Sequence, residues 1–270
     1  MEASARPLAV VTGASSGIGL ELAKQFAANG FDLIVAAEDA DVETAAQGIR
    51  DAGASAEAVR VDLATPAGVE ELASRIQAGG RPVEALALNA GVGAGGAFAT
   101  DTELADELRV IDLNVRSTVH LAKLVLPGMV ARDAGRVLIT SSIGAAIPGS
   151  FHAVYNASKS FVQSFGLALR EELKETNVTV TLLMPGPTET EFFERADMLD
   201  TKVGANPESQ DDPADVAREG FEALMNGDEQ IVAGSLSTKL QGRGSRFIPD
   251  RAKSAMHRRM AEPGSGDDGS

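Results

Sequence analysis

Short apolar runs alternate with segments of helical periodicity along most of this chain. Leu8–Val11, Asp32–Ala36, Ala58–Val61, Val83–Leu88, Val137–Thr140 and Val178–Leu183 are almost wholly apolar or β-branched. Strands that read as near-continuous apolar runs, rather than as alternating ones, are covered on both faces. Between them, Leu20–Asn29, Val42–Ala52 and Val69–Gln77 carry apolar residues at helical spacing, and Gly30 and Gly53 stop the first two helices. A seventh strand is predicted at Ile231–Ala233. This alternation predicts an α/β fold: a doubly wound, Rossmann-type parallel sheet flanked by helices on both faces.

Two helices are predicted to be longer. One runs from about Glu103 to Arg132, with Leu104, Leu108, Ile111, Val115, Val119, Ala122 and Leu126 as a core-facing stripe. That stripe is also wide enough to bury against a second subunit. The other covers residues 156–175. Residues 187–212 mix acidic residues, Gly204 and Pro207 with Phe192, Phe193, Met198 and Leu199, which suits a lid with an apolar underside. Residues 1–248 read as a single domain. Residues 249–270 form a polar tail that begins basic, has room for a short helix, and from Glu262 has the composition of a disordered end.

Charge and composition then narrow the function. A net charge of −15 repels phosphate backbones, so no nucleic-acid partner is expected. With no cysteine and only three histidines, neither a disulfide nor a transition-metal site is expected. No apolar run approaches the roughly 20 residues of a membrane span. Residues 1–7 are polar and show no signal peptide. The absence of cysteine fits a reducing compartment, and the expected location is cytoplasmic.

Two motifs carry candidate chemistry. Thr12-Gly13-Ala14-Ser15-Ser16-Gly17-Ile18-Gly19 lies between the first strand and the first helix. Glycines there permit a tight turn and close backbone approach, and the helix N-terminus attracts a pyrophosphate. A strand–helix turn with no ligand is the alternative. Tyr155, the only tyrosine, stands four residues before Lys159, so the two share one helix face. At about 5 Å and an effective dielectric near 20, their attraction is roughly 3 kcal/mol. The ammonium is therefore expected to lower the phenol by about two pKa units.

Together with Asp62-Leu63, Asn89-Ala90-Gly91, Asn114, Ser141-Ser142 and Pro185-Gly186, these motifs make residues 6–235 resemble a short-chain dehydrogenase/reductase of the common type. The resemblance implies an NAD(P)-dependent oxidoreductase that interconverts a secondary alcohol and a ketone or aldehyde by hydride transfer. It implies Tyr155 as general acid/base and Lys159 as the group that tunes it and holds the nicotinamide ribose. Ser142, thirteen residues before Tyr155, would hydrogen-bond the substrate oxygen, and Asn114 would widen its helix and hold a water. The implied cofactor contacts are Gly13, Ser15, Ser16, Gly17, Ile18, Gly19, Asp62, Leu63, Asn89, Ala90, Gly91, Tyr155, Lys159, Pro185, Gly186, Thr188 and Thr190. A homodimer or homotetramer is implied as well.

One position departs from the pattern. The acidic residue that the family uses for NAD falls on Ala37, with Glu38 and Asp39 following. No Lys or Arg occurs between Lys24 and Arg50, so a 2′-phosphate has no cation nearby along the chain. Glu38 can accept a hydrogen bond from a free 2′-hydroxyl. NAD(H) is therefore favoured, with NADP(H) not excluded. His152 either borders the substrate pocket or is a plain loop histidine; His120 and His257 are given no chemical role. A catalytically inactive dinucleotide-binding regulator, or an isomerase or dehydratase of the same fold, is the alternative function.

Overall fold

The structure, a computed structural model, describes residues 6–206, 210–244 and 249–267. Pro207, the expected domain limit at residue 248 and the last three residues lie outside the described residues. Seven strands form one parallel sheet in the order β3-β2-β1-β4-β5-β6-β7. They are β1 Leu8–Thr12, β2 Asp32–Ala37, β3 Ala56–Arg60, β4 Val83–Leu88, β5 Gly135–Thr140, β6 Val178–Pro185 and β7 Gln230–Ala233. Every residue of β1 and β2 is buried, as their unbroken apolar runs require.

Helices cover both faces. On one side lie α1 Gly17–Ala28, α2 Asp41–Asp51 and α8 Pro213–Asn226, whose Leu22, Phe26, Val42, Ile49 and Phe221 pack on Val11, Val35 and Leu183. On the other lie α3 Pro66–Ala78, α5 Ser117–Ala131 and α6 Ala153–Glu172, whose Leu72, Leu121, Met129 and Val162 pack on Val10, Leu86 and Ile139. The chain runs outward from β1 in both directions across the sheet. This leaves a crevice beyond the C-terminal ends of β1 and β4. Three more helices, α7 Phe192–Arg195, α9 Leu236–Gly244 and α10 Asp250–Ala261, gather around that crevice. No helix among the described residues is long and apolar enough to cross a membrane.

The long helix predicted over Glu103 to Arg132 is interrupted. It comprises α4 Leu104–Ile111, a π-helical turn over Asp112–Arg116, and α5. The predicted core stripe also divides: Ala122 and Leu126 are buried, but Leu104, Leu108 and Ile111 are exposed. The tail differs from expectation too. Within residues 262–267 it is tied to the body of the fold: Gly264 N–H donates to Asp200 Oδ2 (2.7 Å) and Gly266 N–H to the Asp200 carbonyl (2.8 Å).

Candidate active site

One cleft of about 510 Å³ lies at the strand ends. Every site residue read from the sequence lines it except Asn114. At its base the glycine turn is folded as the residue types demand. Gly13 and Gly17 have φ of +65° and +52°. A Cβ on Gly19 would sit 1.9 Å from the Gly13 carbonyl oxygen, and one on Gly13 would sit 2.9 Å from Ala90 Cα. Only glycine lets β1, α1 and the end of β4 approach this closely. Ser16 begins α1 without a side-chain cap, so the first-turn amides have no side-chain acceptor there.

A small network ties the strand ends together. Thr12 Oγ1 accepts from the Asn89 and Ala90 amides at 3.0 and 3.1 Å. Asn89 donates through Nδ2 to the Thr12 carbonyl (3.2 Å) and accepts from Thr140 Oγ1 (3.0 Å). Thr188, Thr190, Pro185 and Gly186 line the same cleft after β6. The Glu189 amide donates to the Asp211 carbonyl (3.0 Å) and fixes that loop.

The residues expected to handle the proton meet at the other end. Ser142 follows β5, and its Oγ accepts from the Gly144 amide (3.0 Å) in a short 3-10 turn. Tyr155 lies in the first turn of α6 and is hydrogen-bonded by the Ser142 side chain. Ser141 instead donates to the Lys159 carbonyl (3.0 Å) and is turned into the protein. Lys159 Nζ donates to the Thr140 carbonyl at 3.0 Å and lies 5.7 Å from the Tyr155 ring centre. Asn114 sits in the π-helical turn, where its Nδ2 donates to the Val92 carbonyl and to Ser158 Oγ, each at 2.9 Å. Its Oδ1 accepts from the Val92 amide at 2.9 Å.

The electrostatics correct one expectation. Burial pushes the Tyr155 phenol up to about 12, and the Ser142 hydrogen bond opposes this only in part. Burial also lowers the Lys159 ammonium to about 8. In the isolated protein, desolvation therefore outweighs the attraction that helical spacing suggested. The phenol is half-buried and open to the cleft, so water reaching it softens that rise.

The structure also brings in residues that linear reading missed. Arg109 of α4 bonds Glu38 and reaches Asp62 Oδ2 at 3.3 Å. Arg60 Nε donates to the Glu38 carbonyl at 3.1 Å. The acidic end of β2 thus has two arginines beside it in space, although none is near it along the chain. Met256, His257 and Met260 of α10 line the cleft, so His257, given no chemical role above, is a wall of the site. The pair Met256/Met260 at i,i+4 was a readable apolar stripe. His152 does border the cleft: its ring stacks on Tyr155 at 4.4 Å, and its Nε2 is buried with no partner among the described residues. Burial and then the charge of His257 hold His152 down at about 3, so it is neutral.

A sequence profile described as short chain dehydrogenase matches residues 7–198. The chain belongs to the short chain dehydrogenase family. The chain is 33% identical over 226 residues to mouse (Mus musculus) dehydrogenase/reductase SDR family member 7B, a match covering 80% of this chain and 69% of that protein. Its fold superposes on a Burkholderia phymatum short chain dehydrogenase/reductase solved with NAD, with a TM-score of 0.81 and 26% identity. That match covers 97% of this chain and 98% of the other. A Sphingobium yanoikuyae short-chain dehydrogenase solved with NADPH gives a TM-score of 0.76 at 29% identity, covering 84% of this chain and 87% of that one.

Proposed function

We propose that this short chain dehydrogenase interconverts a secondary alcohol and a ketone or aldehyde, using a nicotinamide dinucleotide and Tyr155 as general acid/base. The observation that carries this reading is the meeting of Ser142, Tyr155 and Lys159 in one cleft with the glycine turn. The cradle fits such a cofactor: Gly13, Gly17 and Gly19 leave room where any Cβ would collide, and uncapped amides face a diphosphate. The bound cofactor would give or take the hydride. The residues of the chain do the rest.

In reduction, negative charge grows on the substrate oxygen as carbon receives hydride. The Tyr155 hydroxyl donates its proton there while Ser142 supplies a second hydrogen bond. A phenol held near 12 is protonated at neutral pH and ready to donate. Oxidation needs the phenolate, so it gains as pH rises. Lys159 and Asn114 support the phenol from behind. Lys159 Nζ and Asn114 Oδ1 both stand 3.1 Å from where a Cβ on Gly91 would be, and glycine keeps that gap open for a bridging water.

NAD(H) is the preferred form in this reading. Arg109 is engaged by both Glu38 and Asp62, so a 2′-phosphate would have to take it from two carboxylates. Phe192 lies 5.0 Å from Tyr155 and, with Met198 and Met256, favours an uncharged, largely apolar substrate. Exposed Leu104, Leu108 and Ile111 on α4 and Phe161 on α6 favour a homodimer or homotetramer, and the lack of cysteine favours a cytoplasmic setting.

A panel of secondary alcohols and carbonyls, followed by the absorbance of reduced nicotinamide with NAD(H) and NADP(H) in parallel, tests the reading. Turnover with the dinucleotide consumed supports it. Dinucleotide binding without turnover on any substrate points to a regulator. Product formed without net change in the cofactor points to an isomerase or dehydratase.

A further inference from the structure

The lid after β6 reaches across the cleft and rests on the glycine turn. Thr190 Cγ2 stands 2.8 Å from where a Cβ on Gly17 would be. The Ser16 hydroxyl donates to Glu191 Oε2 at 3.4 Å. Arg195 bonds the same Glu191 oxygen at 2.6 Å and lies 3.8 Å from Asp39 Oδ2, which accepts from the Ser15 hydroxyl at 2.9 Å. The lid carboxylate of Glu191 therefore meets Ser16 directly, and the lid guanidinium of Arg195 reaches Ser15 only through Asp39.

Charge makes this arrangement informative. The turn from Thr12 to Gly19 contains no basic residue. Among the described residues lining the cleft, the other cations are elsewhere. Lys159 stands beside Tyr155, and Lys253 of α10 is bonded to the Ala146 carbonyl (3.1 Å). A diphosphate seated at the start of α1 would meet Glu191 and Asp39 as like charges, with Arg195 as the cation at hand. The Arg195–Glu191 pair is about half-exposed on both sides, so it is weakly held and readily exchanged.

We infer that Arg195 is the residue that clamps the cofactor pyrophosphate, and that the Glu191 carboxylate holds Arg195 and the Ser16 hydroxyl until the diphosphate displaces it. This rests on the nicotinamide-dinucleotide reading above. On binding, Arg195 and Ser16 exchange a carboxylate oxygen for phosphate oxygens, and Glu191 turns to solvent. No covalent bond changes.

The test is equilibrium binding of NADH and of NADPH to the purified full-length protein, read by nicotinamide fluorescence, with no substrate present. Arg195→Gln should weaken both dinucleotides by one common factor on the order of tenfold, the loss of one charge-assisted contact. Arg195→Lys should fall between, because a point charge replaces the planar fork. Glu191→Gln should tighten both by removing the competing anion. The clamp is overturned if Arg195→Gln leaves NADH affinity unchanged, or if it weakens NADPH alone, which would assign the arginine to the 2′-phosphate. A weaker NADH complex in Glu191→Gln would also overturn it, since the carboxylate would then be positioning Arg195 rather than competing. If the unaltered protein binds neither dinucleotide, the cofactor reading falls and takes the clamp with it.

Discussion

The ammonium of Lys159 lies 5.7 Å from the centre of the Tyr155 ring and donates to the Thr140 carbonyl at 3.0 Å. It is thus a neighbour of the phenol but bonded elsewhere. Burial sets the resting state of each group: neutrality is favoured for both, which raises Tyr155 and lowers Lys159.

The chain has one tyrosine and no tryptophan, so tyrosinate absorbance reports Tyr155 alone. In a rapid pH jump of the dinucleotide-free protein, the phenol should titrate above its ordinary 10.0, toward about 12. A midpoint below 10 would mean that the lysine field dominates after all.

Replacing Tyr155 by Phe should lower carbonyl reduction by about 10²–10⁴-fold, the usual worth of a positioned general acid. The dissociation constant for the dinucleotide should change far less, because only one hydroxyl contact is lost while the glycine turn, Lys159 and the β6 loop are untouched. Equal loss of binding and turnover would place the tyrosine in cofactor binding rather than proton transfer.

Lys159 makes a stability prediction with a definite sign. Its folded pKa, about 8, lies below the ordinary 10.5, so between these values the unfolded chain binds more protons. The cost of burying the ammonium is full below pH 8 and relieved as pH climbs toward 10. Lys159→Met should therefore gain on the parent most at pH 7, and that difference should shrink steadily by pH 10 in urea denaturation. A difference independent of pH would show that Lys159 is not desolvated in the fold.

Glycines divide sharply by what a Cβ would meet. Gly19→Ala places a methyl 1.9 Å from the Gly13 carbonyl oxygen and should abolish dinucleotide binding. Gly48→Ala in α2 meets nothing within 4 Å and should stabilise the protein by about 0.5–1 kcal/mol. Thermal melts and dinucleotide titration of both variants check the contrast.

The inner strands were legible because each is a near-continuous apolar run, a signal that survives without knowledge of the partner strand; the edge strand β3, Ala-Glu-Ala-Val-Arg with one buried residue, begins two residues before the run Ala58–Val61 read for it. The glycine turn was legible because its chemistry is local. What escaped was contact between distant segments. Arg109 meets Glu38 across 71 positions, and no spacing rule links α4 to the end of β2. The outward turn of Leu104, Leu108 and Ile111 also escaped, because an apolar stripe reads alike whether a core or another surface covers it. Helical spacing placed Lys159 on the Tyr155 face correctly, yet spacing carries no information on burial, which here decides the sign of the phenol shift.

The contact between Arg109 and Glu38 yields the last prediction. In the proposed reading, Glu38 presents a carboxylate where a 2′-hydroxyl can donate and a 2′-phosphate is repelled, while Arg109 offsets part of that charge. Glu38→Ala removes the repulsion and leaves Arg109 with Asp62 alone, 3.3 Å away. The guanidinium then has donors free for a phosphate. The ratio of kcat/KM for NADPH over NADH should rise by about tenfold or more, which corresponds to roughly 1.4 kcal/mol of discrimination. Arg109→Ala should move the ratio the other way, since Glu38 and Asp62 would face the phosphate with less compensation. If Glu38→Ala left the ratio where it was, the end of β2 would not be the element that reads the cofactor, and the preference for NAD(H) would lose its physical basis.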